Sequence, residues 1–266
     1  INKTISFSKG KLKKEILQRG HETRPQAVRA PILYPMNALV EDQMTRLRVA
    51  HDSDSARKFF EKEDTGKTYE KWLHNRIYFG RYNGATPSPG IFPQYLPADP
   101  KEEISGKRAK ARMQLQRLRT KLREIDDNNG KVAQYIAAHP DTRKKKNSDK
   151  KYFFQQLDGA EMRTRFDMQE SPPDILITNF SMMSIMLMRE ADTGIFDKTK
   201  AWLESDKVNN VFHLVIDELH LYRGTQGTEV AFLVRMLLER IGLKPDSKQL
   251  RILASSASLD PHDDKV

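Results

Sequence analysis

Short apolar runs, most of them followed by a segment with helical patterning, restrict the fold of this chain more than any other feature. The runs have the length of buried strands and lie at 31–34, 76–79, 174–178, 211–216 and 251–254. Helical patterns follow at 38–50, 182–190 and 227–241. This alternation predicts an α/β fold with a parallel sheet and helices on both faces. Ligands of such sheets gather at the carboxyl ends of the strands, so polar residues just after each run are the functional candidates.

A basic helical segment interrupts this alternation between residues 101 and 165. Leu115, Leu118, Leu122 and Ile125 are spaced as an apolar stripe on one helix. Residues 101–151 contain 16 Lys and Arg against 7 Asp and Glu, which supplies most of the formal net charge of +10. The segment is either an arm that contacts nucleic acid or a solvated helical hairpin. We expect a sheet domain formed by 1–100 and 166–266, with 101–165 as its insertion.

Composition excludes several classes of protein. The chain has no cysteine, so disulfides, cysteine zinc sites and thiol nucleophiles are excluded. Its apolar runs are too short to span a bilayer, and no signal-peptide pattern opens it. We therefore expect a soluble, cytoplasmic protein without a membrane partner. A net charge of +10 favours a polyanionic partner, and nucleic acid is the usual one.

Two adjacent carboxylates end the apolar run at 211–216 and form the strongest local motif, VIDELH at 215–220. A nucleotide hydrolase needs one acid to hold Mg²⁺ and another to orient the attacking water. Asp217 suits the first role and Glu218 the second, and His220 can hydrogen-bond toward the phosphate or the next motif. An ordinary strand-to-turn junction can also end in Asp-Glu, so the motif alone does not decide the function.

A hydroxyl-rich sequence, RILASSAS at 251–258, follows one helix later. Its small residues allow this loop to approach the acidic loop closely, and its hydroxyls can bond to Glu218 or His220. Ser256 and Ser258 are the candidates for this contact. A serine-rich turn without a function is the alternative, and the two motifs together carry more weight than either alone.

Five motifs together resemble the first ATPase lobe of DEAD/DEAH-box helicases of superfamily 2, in the order of that family. DELH at 217–220 resembles motif II, and SAS at 256–258 resembles motif III. YPMNALVEDQ at 34–43 resembles motif Ia, RYNGATP at 81–87 the glycine-containing loop, and PDILITNFSM at 173–182 motif Ib. The resemblance covers most of residues 30–260. It implies a RecA-like sheet of the P-loop NTPase type, with ATP and Mg²⁺ at its carboxyl edge.

The resemblance also implies the roles of single residues. Asp217 would hold the metal, Glu218 would orient water, and Ser256 and Ser258 would lie at the ATP site and couple hydrolysis to the grip on the nucleic acid. The sugar-phosphate backbone of a nucleic acid, DNA in preference to RNA, would be contacted by Pro35, Asn37, Gln43, Arg81, Gly84, Thr178 and Asn179. Residues of this kind after strands hold phosphates without reading bases.

Longer strings are similar to particular bacterial helicases. YPMNAL at 34–39 and IDELHLYRGTQGTEV at 216–230 resemble the large MrfA/YprA-like helicases and the helicases of the anti-phage systems DISARM and Druantia. The resemblance implies ATP-dependent unwinding of DNA or movement along it, in phage defence or DNA repair. The expected partners are a second RecA-like lobe, further domains and subunits of a defence system.

The sequence departs from this family at the phosphate-binding loop. The pattern G-x-x-x-x-G-K-[ST] is absent. The string TGKT at 65–68 lacks the first glycine and a preceding strand, and it comes after motif Ia instead of before it. Lys3 and Thr4 have about the spacing of the family's Lys-Thr pair, but Asn2 replaces the final glycine.

The second lobe and its arginine finger are absent as well, so we expect this chain alone to be nearly inactive as an ATPase. A non-catalytic nucleic-acid-binding or scaffolding module is the main alternative function. A Mg²⁺-dependent nuclease is a weaker one, because it would need more carboxylates near Asp217.

Overall fold

A computed structural model describes residues 5–8, 11–15, 18–19, 22–35, 40–61, 75–87, 103–142 and 146–256. The chain divides into two compact units. The sheet unit contains residues 24–42, 79–83 and 171–266. The helical unit contains residues 1–23, 43–78 and 84–170, and it therefore includes the whole insertion expected at 101–165.

A five-stranded sheet forms the centre of the sheet unit. Its strands are β3 (Ala30–Tyr34), β4 (Phe79–Arg81), β5 (Ile175–Asn179), β6 (Phe212–Ile216) and β7 (Leu250–Ala254). They lie in the order β4-β5-β3-β6-β7, and every pair is parallel. The prediction of an α/β fold with a parallel sheet is thus confirmed, although β4 begins later than the run at 76–79.

Helices flank this sheet. They are α5 (Phe180–Met188), α6 (Thr193–Ser205) and α7 (Gly224–Arg240), with short 3-10 turns at Glu190–Asp192 and Leu219–Leu221. Met183, Phe196 and Leu237, one from each helix, line the same apolar interior as Leu176 and Phe212 of the sheet. A helix α1 (Val40–Asp52) follows β3 and passes from the sheet unit into the helical unit.

Strand register aligns the carboxyl ends of the sheet in one row. Leu33 pairs with both Ile216 and Thr178, and Ile216 pairs with Ala254. The residues that come next along these strands therefore leave the sheet at the same level. This row is the edge at which ligands of parallel sheets bind.

The helical unit is built around a long helix. Its elements are the antiparallel pair β1 (Ile5–Ser8) and β2 (Lys11–Glu15), then α2 (Asp54–Glu61), α3 (Glu103–Ala138), a 3-10 turn at Ser148–Phe153 and α4 (Arg165–Glu170). Leu118 and Leu122 of α3 are buried against Leu115, Leu157 and Phe166. The predicted apolar stripe is the face by which α3 is anchored.

Buried polar contacts hold the end of α1 to the segment before α4. Nε of Arg48 donates to Oε2 of Glu161 at 2.6 Å, and both side chains are buried. The Asp52 carboxylate accepts the backbone N–H of Ala160 at 2.8 and 2.9 Å. A Cβ on Gly159 would lie 2.3 Å from Oδ2 of Asp52, so only glycine allows this approach. None of the helices in the described part of the chain is both long and apolar enough to cross a membrane.

Candidate nucleotide and nucleic-acid site

The predicted acidic pair leaves the sheet at the carboxyl end of β6. Asp217 directly follows the strand, and its backbone N–H donates to the carbonyl of Leu33 at 3.0 Å, which extends the ladder between β6 and β3. One carboxylate oxygen of Asp217, Oδ1, accepts a short hydrogen bond from the hydroxyl of Ser255. The strand ladder and this hydroxyl together fix the direction of the carboxylate.

Ser255 is the residue that joins the hydroxyl-rich loop to the acidic motif. Its backbone N–H donates to Ile216 at 3.0 Å, and its carbonyl accepts from Leu219 at 2.8 Å. Its hydroxyl oxygen accepts the backbone N–H of Glu218 at 3.3 Å. The sequence pattern indicated Ser256 and Ser258 for this contact, and the structure assigns it to Ser255. The register between β6 and β7 would have indicated Ser255, because the residue after Ala254 lies beside the residue after Ile216.

Glu218 has an unusual backbone. Its φ of 53° and ψ of 48° place it in the left-handed region, and no other non-glycine residue in the described part of the chain has a positive φ. A non-glycine residue there costs about 1–2 kcal/mol. This turn ends the strand abruptly at Asp217 and begins the 3-10 turn at Leu219–Leu221. Non-glycine strain of this kind is concentrated at functional sites.

His220 lies beside the Glu218 carboxylate. Nδ1 of His220 is 3.1 Å from Oε2 of Glu218, and the two side chains are 25% and 31% exposed. The contact is one of proximity, because Nδ1 of His220 has no hydrogen-bond partner among the described residues. His220 therefore lies beside the Glu218 carboxylate, part of which stays open to solvent.

Tyr222 connects the acidic motif to helix α5. Its ring meets Phe180 edge to face, with 4.7 Å between the ring centroids. Its hydroxyl is buried and has no hydrogen-bond partner among the described residues. Burial raises the pKa of this hydroxyl, and the nearby Asp217 and Glu218 carboxylates raise it further. The sequence indicated no role for Tyr222, because no neighbouring residue predicts its contact with Phe180.

Thr178 and Asn179, two predicted nucleic-acid contacts at the end of β5, both bond within the protein. The Thr178 side chain is buried and donates to the carbonyl of Tyr82 at 2.7 Å. Oδ1 of Asn179 accepts the backbone N–H of Met182 at 2.7 Å and so caps α5. In this geometry Thr178 positions the loop after β4, and Asn179 fixes the start of α5.

A buried polar cluster fixes the loop after β4. The hydroxyl of Tyr82 donates a short hydrogen bond to Asp192, and Nη2 of Arg189 lies 2.9 Å from the Tyr82 oxygen. Nε of Arg189 donates to Asp192 at 2.8 Å. Tyr82 and Asp192 are fully buried. The cluster therefore ties the end of β4 to the turn between α5 and α6.

The remaining predicted residues lie in different places. Arg81 ends β4 and forms an ion pair with Glu41 in the first turn of α1, and Pro35 follows β3. Gln43 and Gly84 belong to the helical unit. Ser256 is half-buried directly after Ser255. The others lie outside the described residues, namely Lys3, Thr4, Asn37 and Ser258.

The donor set around Asp217 fits a cation that is shared with a ligand. No group of three or more His, Cys, Asp or Glu side chains in the described ranges could enclose a metal by itself. Mg²⁺ commonly uses one or two carboxylates and takes its other ligands from phosphates and water. Asp217 can supply that single carboxylate, since Ser255 occupies one of its two oxygens.

The chain is similar to one curated protein along almost its whole length. It is 33% identical over 269 residues to the Druantia protein DruE of Escherichia coli (strain UMEA 4076-1). The aligned region covers 96% of this chain and 14% of that relative. No protein-family model and no solved structure matches the chain. The similarity supports the relationship to the Druantia defence system that the motif strings indicate.

Proposed function

We propose that this chain is a nucleotide-hydrolysing lobe of an ATP-dependent DNA helicase or translocase that acts in anti-phage defence. The similarity to a Druantia protein supports the defence role. Because the chain spans 14% of that relative, the activity belongs to a longer protein with further domains. The second RecA-like lobe, other defence subunits and DNA are its proposed partners.

A single observation carries the proposal, namely the way two loops meet at the carboxyl edge of the sheet. Asp217 and Glu218 leave β6 beside Ser255, which leaves β7, and one hydroxyl bonds to the Asp217 carboxylate and accepts the Glu218 N–H. Ion-pair networks also place acids at surfaces, but they do not need a left-handed residue to present the second acid. This geometry supports a site built to aim two carboxylates at one ligand.

The chain's own groups would divide the chemistry of ATP hydrolysis. Glu218 would orient the attacking water and accept its proton as the bond between the β- and γ-phosphates breaks. Ser255 would hold Oδ1 of Asp217, and His220 would lie beside Oε2 of Glu218. Asp217 would be the ligand for Mg²⁺, which when bound neutralises charge on the phosphates.

The other half of the edge would hold the nucleic acid. The ends of β3, β5 and β4 continue the row beyond β6. Neighbouring strands are about 4.8 Å apart, so Asn179 leaves the sheet about 10 Å from Asp217. The free N–H groups of a helix N-terminus favour phosphate, and Asn179 caps such a helix. The contact between Phe180 and Tyr222 joins the two halves.

A test is the ATPase activity of the full-length parent protein, with and without single-stranded DNA. We expect DNA-stimulated hydrolysis in the wild type and a loss of at least about 100-fold in kcat for Glu218→Gln, because the variant cannot accept the proton. Glu204→Gln is the matched control, since Glu204 is exposed on α6. Its kcat should equal that of the wild type.

The opposite result is equally informative. A parent protein that binds DNA but hydrolyses no ATP contradicts the proposal and favours the non-catalytic binding module. Equal losses in Glu218→Gln and Glu204→Gln would attribute the effect to folding instead of chemistry.

A further inference from the structure

We propose that the first half of α3, residues 104–123, is a second nucleic-acid-binding surface that contacts the phosphate backbone without reading sequence. The inference rests on the proposed function, because it assumes that the parent protein acts on nucleic acid. It assigns a partner to the helical unit, whereas the proposed nucleotide site lies in the sheet unit.

Charge is segregated along α3. Residues 104–123 contain eight Lys and Arg and no Asp or Glu, whereas residues 124–138 contain one Lys and three Asp and Glu. A solvated helix commonly mixes the two signs, since pairs of opposite charge at helical spacing stabilise it. Cations without interspersed acids repel one another and form a field that attracts a polyanion.

Four of the five cations of this half that the structure describes are exposed and largely unneutralised, and the fifth, Arg119, is half-buried. Lys110, Arg117 and Arg123 are exposed and form no ion pair with any residue that the structure describes. Lys121 lies 3.5 Å from Glu124, and both side chains are more than half exposed. Such a surface pair contributes little, so a phosphate can replace Glu124 at small cost.

Carboxylates elsewhere in the helical unit are occupied by other cations. Glu161 binds Arg48 at 2.6 Å, Asp158 binds Arg57 at 2.8 Å and Asp54 binds Lys151 at 2.7 Å. None of these contacts involves α3. Three acids of the unit are thus neutralised by cations outside α3, whereas Lys110, Arg117 and Arg123 have no such partner among the described residues.

Packing of its apolar face fixes the direction in which α3 presents its cations. Leu118 and Leu122 are buried against Leu157 and Phe166, which sets the rotation of α3 about its axis. At 100° per residue, Lys110, Arg117 and Lys121 fall within about 40° of one another, and they span about 16 Å along the axis. Each strand of a B-form duplex carries one phosphate per about 3.4 Å of helix axis, so this stripe covers the axial length of about five phosphates of one strand.

The neighbours of the stripe favour nucleic acid over an acidic protein. Gln116 and Thr120 are exposed between the cations and can donate to phosphate or sugar oxygens. Met113 is the large exposed apolar residue in the described part of this half, at 51%. Protein interfaces need a core that is poor in charge and rich in aromatic residues, and residues 104–123 contain no aromatic residue.

The experiment measures the salt dependence of DNA binding by the full-length parent protein. Fluorescence anisotropy with a labelled single-stranded oligonucleotide would be recorded over a series of KCl concentrations. The test variant is Lys110→Gln/Arg117→Gln/Lys121→Gln, in which glutamine preserves helix propensity. The matched control is Lys207→Gln/Lys244→Gln/Lys248→Gln, which removes the same charge from exposed positions of the sheet unit.

We expect the test variant to bind at least about tenfold more weakly, and its plot of log affinity against log salt should flatten by about two units. Each phosphate contact contributes about 0.7 to that slope for a single strand. The control variant should retain the slope of the wild type. Equal slopes in all three proteins, or equal losses in both variants, would overturn the inference.

Two added measurements separate the other outcomes. A poly-glutamate peptide that competes better than DNA for the wild type, but not for the test variant, would identify an acidic protein partner and also overturn the inference. Basal ATP hydrolysis without DNA tests the proposed function independently. A protein without hydrolysis but with the expected change of slope refutes the motor and keeps the surface.

Discussion

Two pairs of carboxylates, one in each unit of this molecule, have opposite surroundings. In the sheet unit, Asp217 and Glu218 are partly exposed and are held by residues of their own motif or of the adjacent strand. In the helical unit, Glu161 and Asp52 are buried, and their partners Arg48 and Ala160 are more than 100 residues away. Asp217 and Glu218 stay accessible to a ligand, whereas Glu161 and Asp52 serve the cohesion of their unit, as the buried Asp192 does in the sheet unit.

A sequence motif indicates the surroundings of an acid only where local geometry fixes the position of that acid. An acid at the end of a strand inherits its position from the sheet, so its surroundings can be inferred from the strands alone. An acid in an irregular segment acquires its position from a distant partner. The same residue type is therefore a candidate ligand-binding group at Asp217 and Glu218 and a source of stability at Glu161 and Asp52.

The largest effect that tests this comparison is expected for Glu161→Ala. The substitution leaves Arg48 buried without its carboxylate, which costs about 3–5 kcal/mol. In the sheet unit, Glu239→Ala removes an exposed partner of Arg235 at 3.5 Å and should cost less than about 1 kcal/mol. Hydrogen exchange monitored by mass spectrometry would compare the opening free energy around each residue. Equal costs would mean that the buried Arg48–Glu161 pair contributes no more to stability than the exposed Arg235–Glu239 pair.

A smaller effect, on activity instead of stability, is expected for Ser255→Ala. The variant loses a hydrogen bond to a charged group, worth about 1.5–3 kcal/mol, so ATPase kcat should fall about 10- to 100-fold while the fold persists. Ser205→Ala, at an exposed position of α6, is the control. An unchanged kcat in Ser255→Ala would mean that the Asp217 carboxylate is oriented by the strand alone.

Strand ends and helix stripes are the parts of this structure that the sequence predicts well. The apolar run at 211–216 and the pair that follows it were sufficient to place Asp217 and Glu218, because strand geometry is local. Leu118 and Leu122 were predicted to share a face for the same reason. Ser255 was missed in favour of its neighbours, since one residue of register decides which hydroxyl meets Asp217.

Long-range contacts are the parts that it could not predict. Nothing in the sequence around Tyr82 indicates that its hydroxyl bonds to Asp192, 110 residues later. The burial of Thr178 against the Tyr82 carbonyl was likewise hidden, because a threonine at the end of a strand can face either a ligand or a loop. These contacts depend on which strands are neighbours, and strand order follows from packing of the whole sheet.

The smallest expected effect concerns pH and Asp167 of the helical unit. Burial raises the pKa of this carboxyl, and its Oδ1 has no hydrogen-bond partner in the described part of the chain. A raised pKa means that its contribution to stability is present below the unfolded value of about 3.9 and is lost as the pH rises through the folded value.

Asp167→Asn should therefore raise the thermal midpoint more at pH 8 than at pH 5, because asparagine keeps an acceptor for Thr164 without a charge. Thermal unfolding at the two pH values measures this difference. Asp246→Asn, at an exposed position of the sheet unit, should show none. A midpoint that falls equally at both pH values would mean that the charged form of Asp167 is needed.

Because the backbone of Glu218 is left-handed, thermal stability and the proposed activity favour different residues at this position. Asparagine tolerates this conformation better than glutamate does and carries no charge. Selection for thermal stability alone would therefore favour Glu218→Asn and discard the proposed catalytic base without disturbing the fold. Laboratory evolution of a more heat-resistant variant would therefore have to hold this position fixed in order to keep the proposed base.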